Sequence, residues 1–387
     1  MLACIDFYID IGIQFGDSLQ SSRFRFTYTF IFHVFRDNSE SIAKIKAFLS
    51  SNQHPRGRIE QGTTKRNKLE HKTSCLRDCE EMEFLLKPKP PFNFHLTATH
   101  MYILPPAKYS NVTFTRVLRL RYEKLIKLSI TSKGTVDEPE LSVLIDSPSG
   151  VTRGDEKEIA DKISFMFSLD DDLNEFYSLA ERDPILKYAK EDLYGLKIQT
   201  APTFFEGMII GFCLVWISFQ RAVKMIDRLV REFGPRMDED YAFPSAKQLA
   251  RASLHELKEL KLGFRAERVK WLSTQVAQGK LDLERLQSLP SETLREELMK
   301  IKWVGPWLAE GTLLWRLKRP DAFPIDVWSA RIFRAFFPEV KKESPERIKK
   351  FAEERWGDYR GFAFYYLMCG REKLAKRLNI QLEEKWK

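Results

Sequence analysis

Cysteine is scarce in this chain, with five in 387 residues, at Cys4, Cys75, Cys79, Cys213 and Cys369. So few and so scattered a set excludes a disulfide-stapled scaffold and fits a reducing, intracellular compartment. A zinc-ligand set is missing as well. Cys75 and Cys79 have a ligand-like gap, but His71 is the only nearby candidate and no second pair follows, so the spacing reads as chance. Long hydrophobic runs are also lacking. The longest, Phe204 to Phe219, carries Glu206 and passes into Gln220 and Arg221. It is too short for a bilayer span and reads as a buried helix, so no membrane partner is expected. Asp6, Asp10 and Asp17 interrupt the N-terminal stretch, so no signal peptide is expected. No internal repeat is found.

What is present is enough apolar residue, 43% of the chain, to bury a sizeable core divided among two or three domains. The net charge of +9 suits a polyanionic partner, because a basic surface releases counterions from a phosphate backbone. Charge alone fits a merely soluble basic protein equally well.

Residues 1–81 stand apart, being rich in Ser, Asn, Gln and His, with a polar basic stretch from His54 to Arg77 that builds core poorly. Little stable tertiary structure is expected there. Met82 opens a stretch that reads at once as a folded domain. The upstream segment is therefore either a translated extension foreign to the native protein or a basic tail that attracts DNA. From Phe92 to about Ser147 the pattern is that of short strands: Phe94, Leu96 and Ala98 alternate with polar neighbours, and the runs 117–120, 125–130 and 141–145 follow. Breakers at Pro105-Pro106, Ser132-Lys133-Gly134 and Ser147-Pro148-Ser149-Gly150 fall between the runs. After Gly154 the texture is helical, with Ile159, Ile163, Met166 and Phe167 at helical spacing, and Ser245 and Ser291 stand as N-caps, the latter followed by Leu294 and Leu298 on one face. The expectation is an α+β chain, with a small antiparallel β-sheet domain over 82–190 and an all-α domain over 191–387.

The sharpest local feature runs from Ser291 to Trp315: a helix, a tight turn at Val304-Gly305, and a second helix opening at Pro306. Proline suits the first turn of a helix, whose free amides form a phosphate site. An ordinary helical corner would look similar. The next stretch, Lys318 to Arg331, adds a proline-containing loop that delivers Asp326 to the start of a helix. Aspartate there is also a common helix N-cap.

Hairpin and aspartate together resemble the helix-hairpin-helix (HhH-GPD) DNA glycosylase superfamily, of the 3-methyladenine DNA glycosylase II-like type. The likeness extends over roughly Phe92 to Glu372, through the linking segment Ser168 to Pro184, the approach Gly195 to Glu206, and the turn Leu262-Gly263-Phe264-Arg265-Ala266. It implies base flipping on damaged double-stranded DNA, an all-α helix-hairpin-helix catalytic domain and a monomeric protein. Asp326 corresponds to the family's catalytic carboxylate, which stabilises an oxocarbenium-like sugar and orients water. The lysine that gives some members lyase chemistry corresponds to Trp307, so hydrolysis to an abasic site is implied. Trp303, Trp307 and Trp328 are the candidate walls of a base pocket, able to hold a cationic alkylated purine. Phe362, Phe364 and Tyr365 would close it from the other side. Lys302, Val304 and Gly305 are the candidate phosphate contacts, with Phe264 and Arg265 approaching DNA near the lesion. Trp216 falls where relatives fill the hole left by the extruded base, although a tryptophan in an apolar helix also suits a core.

Departures from the pattern are Lys302-Trp303 where a proline and a first glycine are usual, the lack of an iron–sulfur cysteine cluster, and Trp307 itself. No cofactor is expected beyond a monovalent cation at the hairpin. The rival readings are a glycosylase of the 8-oxoguanine type and a catalytically silent hairpin module that only grips DNA.

Overall fold

The computed structural model describes residues 4–15, 18–29, 82–100 and 103–382. The Cys75 and Cys79 pair and the basic stretch from His54 to Arg77 lie outside them. The first two of these segments, β1 (Cys4–Phe15) and β2 (Ser18–Thr29), pair antiparallel.

The described residues from Met82 onward form one compact unit holding two main hydrophobic cores. The first lies under a five-stranded antiparallel sheet of β3 (Met82–Leu86), β4 (Lys108–Ser110), β5 (Thr113–Arg119), β6 (Leu125–Ser132) and β7 (Leu141–Asp146), in the order β3-β7-β6-β5-β4. Ile126, Leu128 and Ile130 alternate along β6 and are fully buried. Each contributes on the order of 1.5–3 kcal/mol of apolar burial, which fixes the register against β7, where Leu128 faces Ile145. The sheet is covered by α1 (Phe94–Thr99) and α2 (Arg153–Phe167), whose Ile159, Ile163, Met166 and Phe167 form the buried stripe.

Phe94, Leu96 and Ala98 therefore do not belong to a strand. Asn93 caps the α1 turn by accepting from the Leu96 amide at 3.0 Å, and the buried set is Phe94, Thr97 and Ala98, a helical spacing. Cap chemistry outweighed an alternation only three residues deep.

The second core is helical. After α3 (Asn174–Arg182) and α4 (Leu186–Asp192) come α5 (Phe204–Leu214) and α6 (Phe219–Phe233), a ribbon of β8 (Arg236–Met237) with β9 (Asp240–Tyr241), α7 (Ala246–Arg251), α8 (Leu254–Glu259), α9 (Arg265–Ala277) and α10 (Leu283–Gln287). The hairpin helices α11 (Ser291–Lys300) and α12 (Pro306–Gly311) follow, the latter running into a π-helical turn at Thr312–Arg316. Then come α13 (Val327–Phe336), α14 (Pro345–Trp356) and α15 (Arg360–Arg377). Leu169 packs in the sheet core and Leu173 in the helical one, so the two cores divide there, ahead of residue 190. Ser245 caps α7 in a reciprocal box with Gln248. Ser291 does not cap α11: Pro290 holds that position, and the Ser291 hydroxyl donates instead to Asp321 Oδ1 at 2.9 Å.

Sheet and helices are tied at several points. Lys197 is 2% exposed and its Nζ donates to the carbonyls of Lys89, Leu169 and Asp171 at 2.7–3.1 Å. Burial pulls its ammonium down to about 8. Lys108 and Lys127 both pair with Asp240 of the ribbon. Nη2 of Arg116 on β5 donates to both Oε1 and Oε2 of Glu206 on α5, at 2.5 and 2.6 Å, with both side chains buried.

Candidate active site

A cavity of about 370 Å³ opens where sheet and helices meet, a size usual for sites that take small organic rings. Trp307, Asp326 and Trp328 line it together with Arg116, Glu206 and Arg316. Glycines at 207 and 211 make room for this wall. A Cβ at Gly207 would lie 2.6 Å from Arg316 Cδ, and one at Gly211 2.8 Å from Leu308 Cδ1.

Asp326 reaches the cavity because the loop from Leu317 to Ile325 turns the chain sharply into α13. Its backbone is extended, with φ −131° and ψ −177°, and its carboxylate caps the helix. Oδ1 accepts from the Ser329 amide and the Ser329 hydroxyl, both at 2.7 Å, while the Asp326 amide donates to Ser329 Oγ at 2.8 Å. The reciprocal box fixes the side chain against the positive end of the helix. Oδ2 takes no hydrogen bond among the described residues. The cap thus engages one oxygen of the carboxylate and leaves the other open.

Trp307 stands one residue into α12, after the first-turn proline, with its ring edge-on to Trp315 at 5.8 Å. Trp328 is the second residue of α13, and the Arg371 guanidinium lies 5.2 Å over its ring. Phe364 and Tyr365 of α15 line the opposite wall, whereas Phe362 belongs to a separate small recess of about 10 Å³. Trp303 is not part of the cavity. It occupies the hairpin turn with φ +66°, edge-on to Trp271 at 5.9 Å and with Lys302 Nζ 4.2 Å over its ring. The turn needs a left-handed residue at that point, and tryptophan takes the strain that a glycine would avoid. Gly305 instead has an ordinary φ of −95°, and a Cβ there would meet nothing within 4 Å, so it leaves the hairpin's outer face bare. Val304 is buried beneath it and Lys302 is exposed beside it.

Trp216 is 90% exposed, in a turn between α5 and α6 with φ +51°. It is no core residue. Its neighbours Leu214, Ile217 and Phe219 line the cavity, which places the indole beside the opening. Phe264 is likewise exposed, with the guanidinium carbons of Arg265 and Arg268 at 4.4 and 4.7 Å from its ring centroid. Arg265 itself is only 5% exposed and donates to the Val215 carbonyl. It is therefore a brace between two loops and not a surface contact to DNA, as the sequence had suggested.

Apart from Asp326, the charged groups in the cavity wall, Arg116, Glu206, Arg316 and Arg371, were not foreseen. The Arg316 guanidinium, pushed down to about 9 by burial, donates to Thr200 Oγ1 at 3.3 Å and to the Ala201 carbonyl. His100 Nε2 meets the Cys369 carbonyl at 3.0 Å across the junction. Glu206 alone carried a signal that could have been read, since an acid inside an apolar run must find a partner when buried. The thiol of Cys369 also lines the cavity, but burial pushes it up to about 12, far from a reactive thiolate. Among the described residues, no lysine lines the cavity.

Residues 216–358 match the family model for the HhH-GPD superfamily base excision DNA repair protein, a span that opens at Trp216 and includes the hairpin and Asp326. That stretch of the chain is a domain of that superfamily. It is 29% identical over 220 residues to the DNA-3-methyladenine glycosylase of Bacillus subtilis, covering 54% of this chain and 71% of the relative. It is 26% identical over 249 residues to the "Probable N-glycosylase/DNA lyase" of Methanothermobacter thermautotrophicus, covering 58% and 79% respectively. The solved 3-methyladenine DNA-glycosylase from Archaeoglobus fulgidus shares the fold, with a TM-score of 0.64 at 22% identity over 74% of this chain and 98% of that one.

Proposed function

We propose that this protein is a monofunctional DNA glycosylase that removes an alkylated purine from duplex DNA by hydrolysis and leaves an abasic site. The observation that carries the reading is that Asp326 and Trp307 face one cavity that no lysine lines among the described residues. Departure of the base leaves positive charge on the sugar, and the uncommitted Oδ2 of Asp326 is the group to stabilise it and to orient the attacking water. A lyase needs an amine to trap that sugar as a Schiff base. Indole cannot supply one, and neither arginine nor a buried thiol replaces it. The names of the Bacillus relative and of a second Bacillus subtilis protein, a putative DNA-3-methyladenine glycosylase 27% identical over 153 residues, support an alkylated base. The indole faces of Trp307 and Trp328 support it too, since a cationic purine gains from stacking on an electron-rich ring.

The test is incubation with duplexes carrying 3-methyladenine, 7-methylguanine, hypoxanthine or 8-oxoguanine. Release of free alkylated base, with strand scission only after added alkali, is the expected result. Scission without alkali would overturn the hydrolytic reading, and preferred release of 8-oxoguanine would move the protein to that branch. Binding with no release of any base would leave a hairpin module that only grips DNA.

A further inference from the structure

We infer that Glu310 is a positioning residue, which sets the catalytic loop against the hairpin through one hydrogen bond to the main chain. Glu310 is on α12, one helical turn beyond Trp307, and is 4% exposed. Its Oε2 accepts from the Phe323 amide at 3.0 Å. Oε1 accepts from Arg295 Nε of α11 at 3.0 Å and from Lys349 Nζ of α14 at 2.6 Å. Arg295 also reaches Asp321 Oδ2 at 3.2 Å, and Asp321 Oδ1 takes the Ser291 hydroxyl. Both hairpin helices, the loop and α14 therefore converge on a single buried carboxylate.

Phe323 is three residues ahead of Asp326, and little slack separates them. The Phe323 ring is packed edge-on to Phe333 and Phe364 at 5.3 and 5.2 Å. Pro324 has a fixed φ, and the Ile325 amide closes back onto the Phe323 carbonyl at 2.8 Å. A shift of the Phe323 main chain is thus passed to the Asp326 carboxylate, where misplacement by about 1 Å can cost on the order of 100-fold in rate. The hairpin is the proposed phosphate contact, so the same bond fixes the distance between the grip on DNA and the reacting group.

The inference rests on the role of Asp326 proposed above, and the test separates the two. Glu310→Met and Glu310→Gln both remove the charge that pairs with Arg295 and Lys349, but only glutamine can still accept from the Phe323 amide. Single-turnover excision, normalised to folded protein, is expected to fall on the order of 100-fold in Glu310→Met and to be largely restored in Glu310→Gln. Affinity for a duplex with an abasic-site analogue is expected to stay unchanged in both. Lys349→Met strips a cation from the same carboxylate and leaves the amide bond, so it should keep excision per folded molecule. Equal losses in Glu310→Met and Glu310→Gln, or a comparable loss in Lys349→Met, would show an ion-pair effect and overturn the assignment. Asp326→Asn run alongside tells which idea has failed: if it stays active the reading of Asp326 is wrong, whereas an inactive Asp326→Asn with a fully active Glu310→Met sinks the positioning role alone.

Discussion

The guanidinium of Arg265 donates to the main-chain carbonyl of Val215, so the loop that exposes Phe264 and the turn that exposes Trp216 are braced as one unit. Under the proposed function, these two exposed aromatics are the side chains that would hold DNA open while a base occupies the cavity.

Extrusion costs a few kcal/mol of unstacking, so Trp216→Ala should lower excision from duplex DNA by about tenfold or more while sparing the same lesion in a single strand. Arg265→Met, which frees the Val215 carbonyl without reaching DNA, should lower the same duplex-to-single-strand ratio less. Single-turnover rates on both substrates measure it. Equal losses on the two would deny a wedge.

Glu206→Leu strands the buried Arg116 without its partner and should destabilise the protein by about 3–5 kcal/mol in urea unfolding. Adding Arg116→Met should recover most of that loss, because two apolar groups of similar size pack where the ion pair stood. A double variant no more stable than the single would point to packing and not to charge.

Lys318 is mostly buried, its Nζ 4.3 Å over the Phe165 ring, and burial pulls its ammonium down to about 8 from 10.5. Between those values the unfolded chain holds a proton that the folded chain has released, so this group's contribution makes stability rise with pH there. Below pH 8 the penalty is present in full. Lys318→Met should therefore stabilise the protein at pH 7 by on the order of 2–3 kcal/mol, with the advantage shrinking from pH 8 to 10.5. Denaturation midpoints across that range check it. An advantage independent of pH would contradict the account.

Lys302→Ala should weaken binding to all duplex sequences alike and reduce the slope of log affinity against log salt by about 1. An unchanged slope in a salt titration would mean that the ammonium only covers the Trp303 ring.

Much of this was legible in the residues, and where it was not the cause is physical. The central strands show themselves because alternation at Ile126, Leu128 and Ile130 is what a half-buried sheet demands. The hairpin and the Asp326 loop are local, so turn chemistry gives them away. The Phe94 helix is hidden because three alternating residues also fit a helix once Asn93 caps it. Trp303 could not be separated from Trp307 and Trp328 by sequence, since only the left-handed turn at Trp303 swings its ring away from the cavity. Arg116, Arg316 and Arg371 come from segments far apart in the chain, and nothing local marks them as neighbours. Arg265 reads as a DNA contact because Leu262 to Ala266 resembles the family's turn that approaches DNA, yet its own side chain folds inward onto the Val215 carbonyl.

The measurement that bears most directly on the whole account is base release by Asp326→Asn under single-turnover conditions, beside its affinity for the same lesion-bearing duplex. Asparagine can still cap α13 by accepting from the Ser329 amide, so the fold and DNA binding should survive while excision is nearly abolished. Turnover close to wild type at unchanged affinity would remove Asp326 from the chemistry.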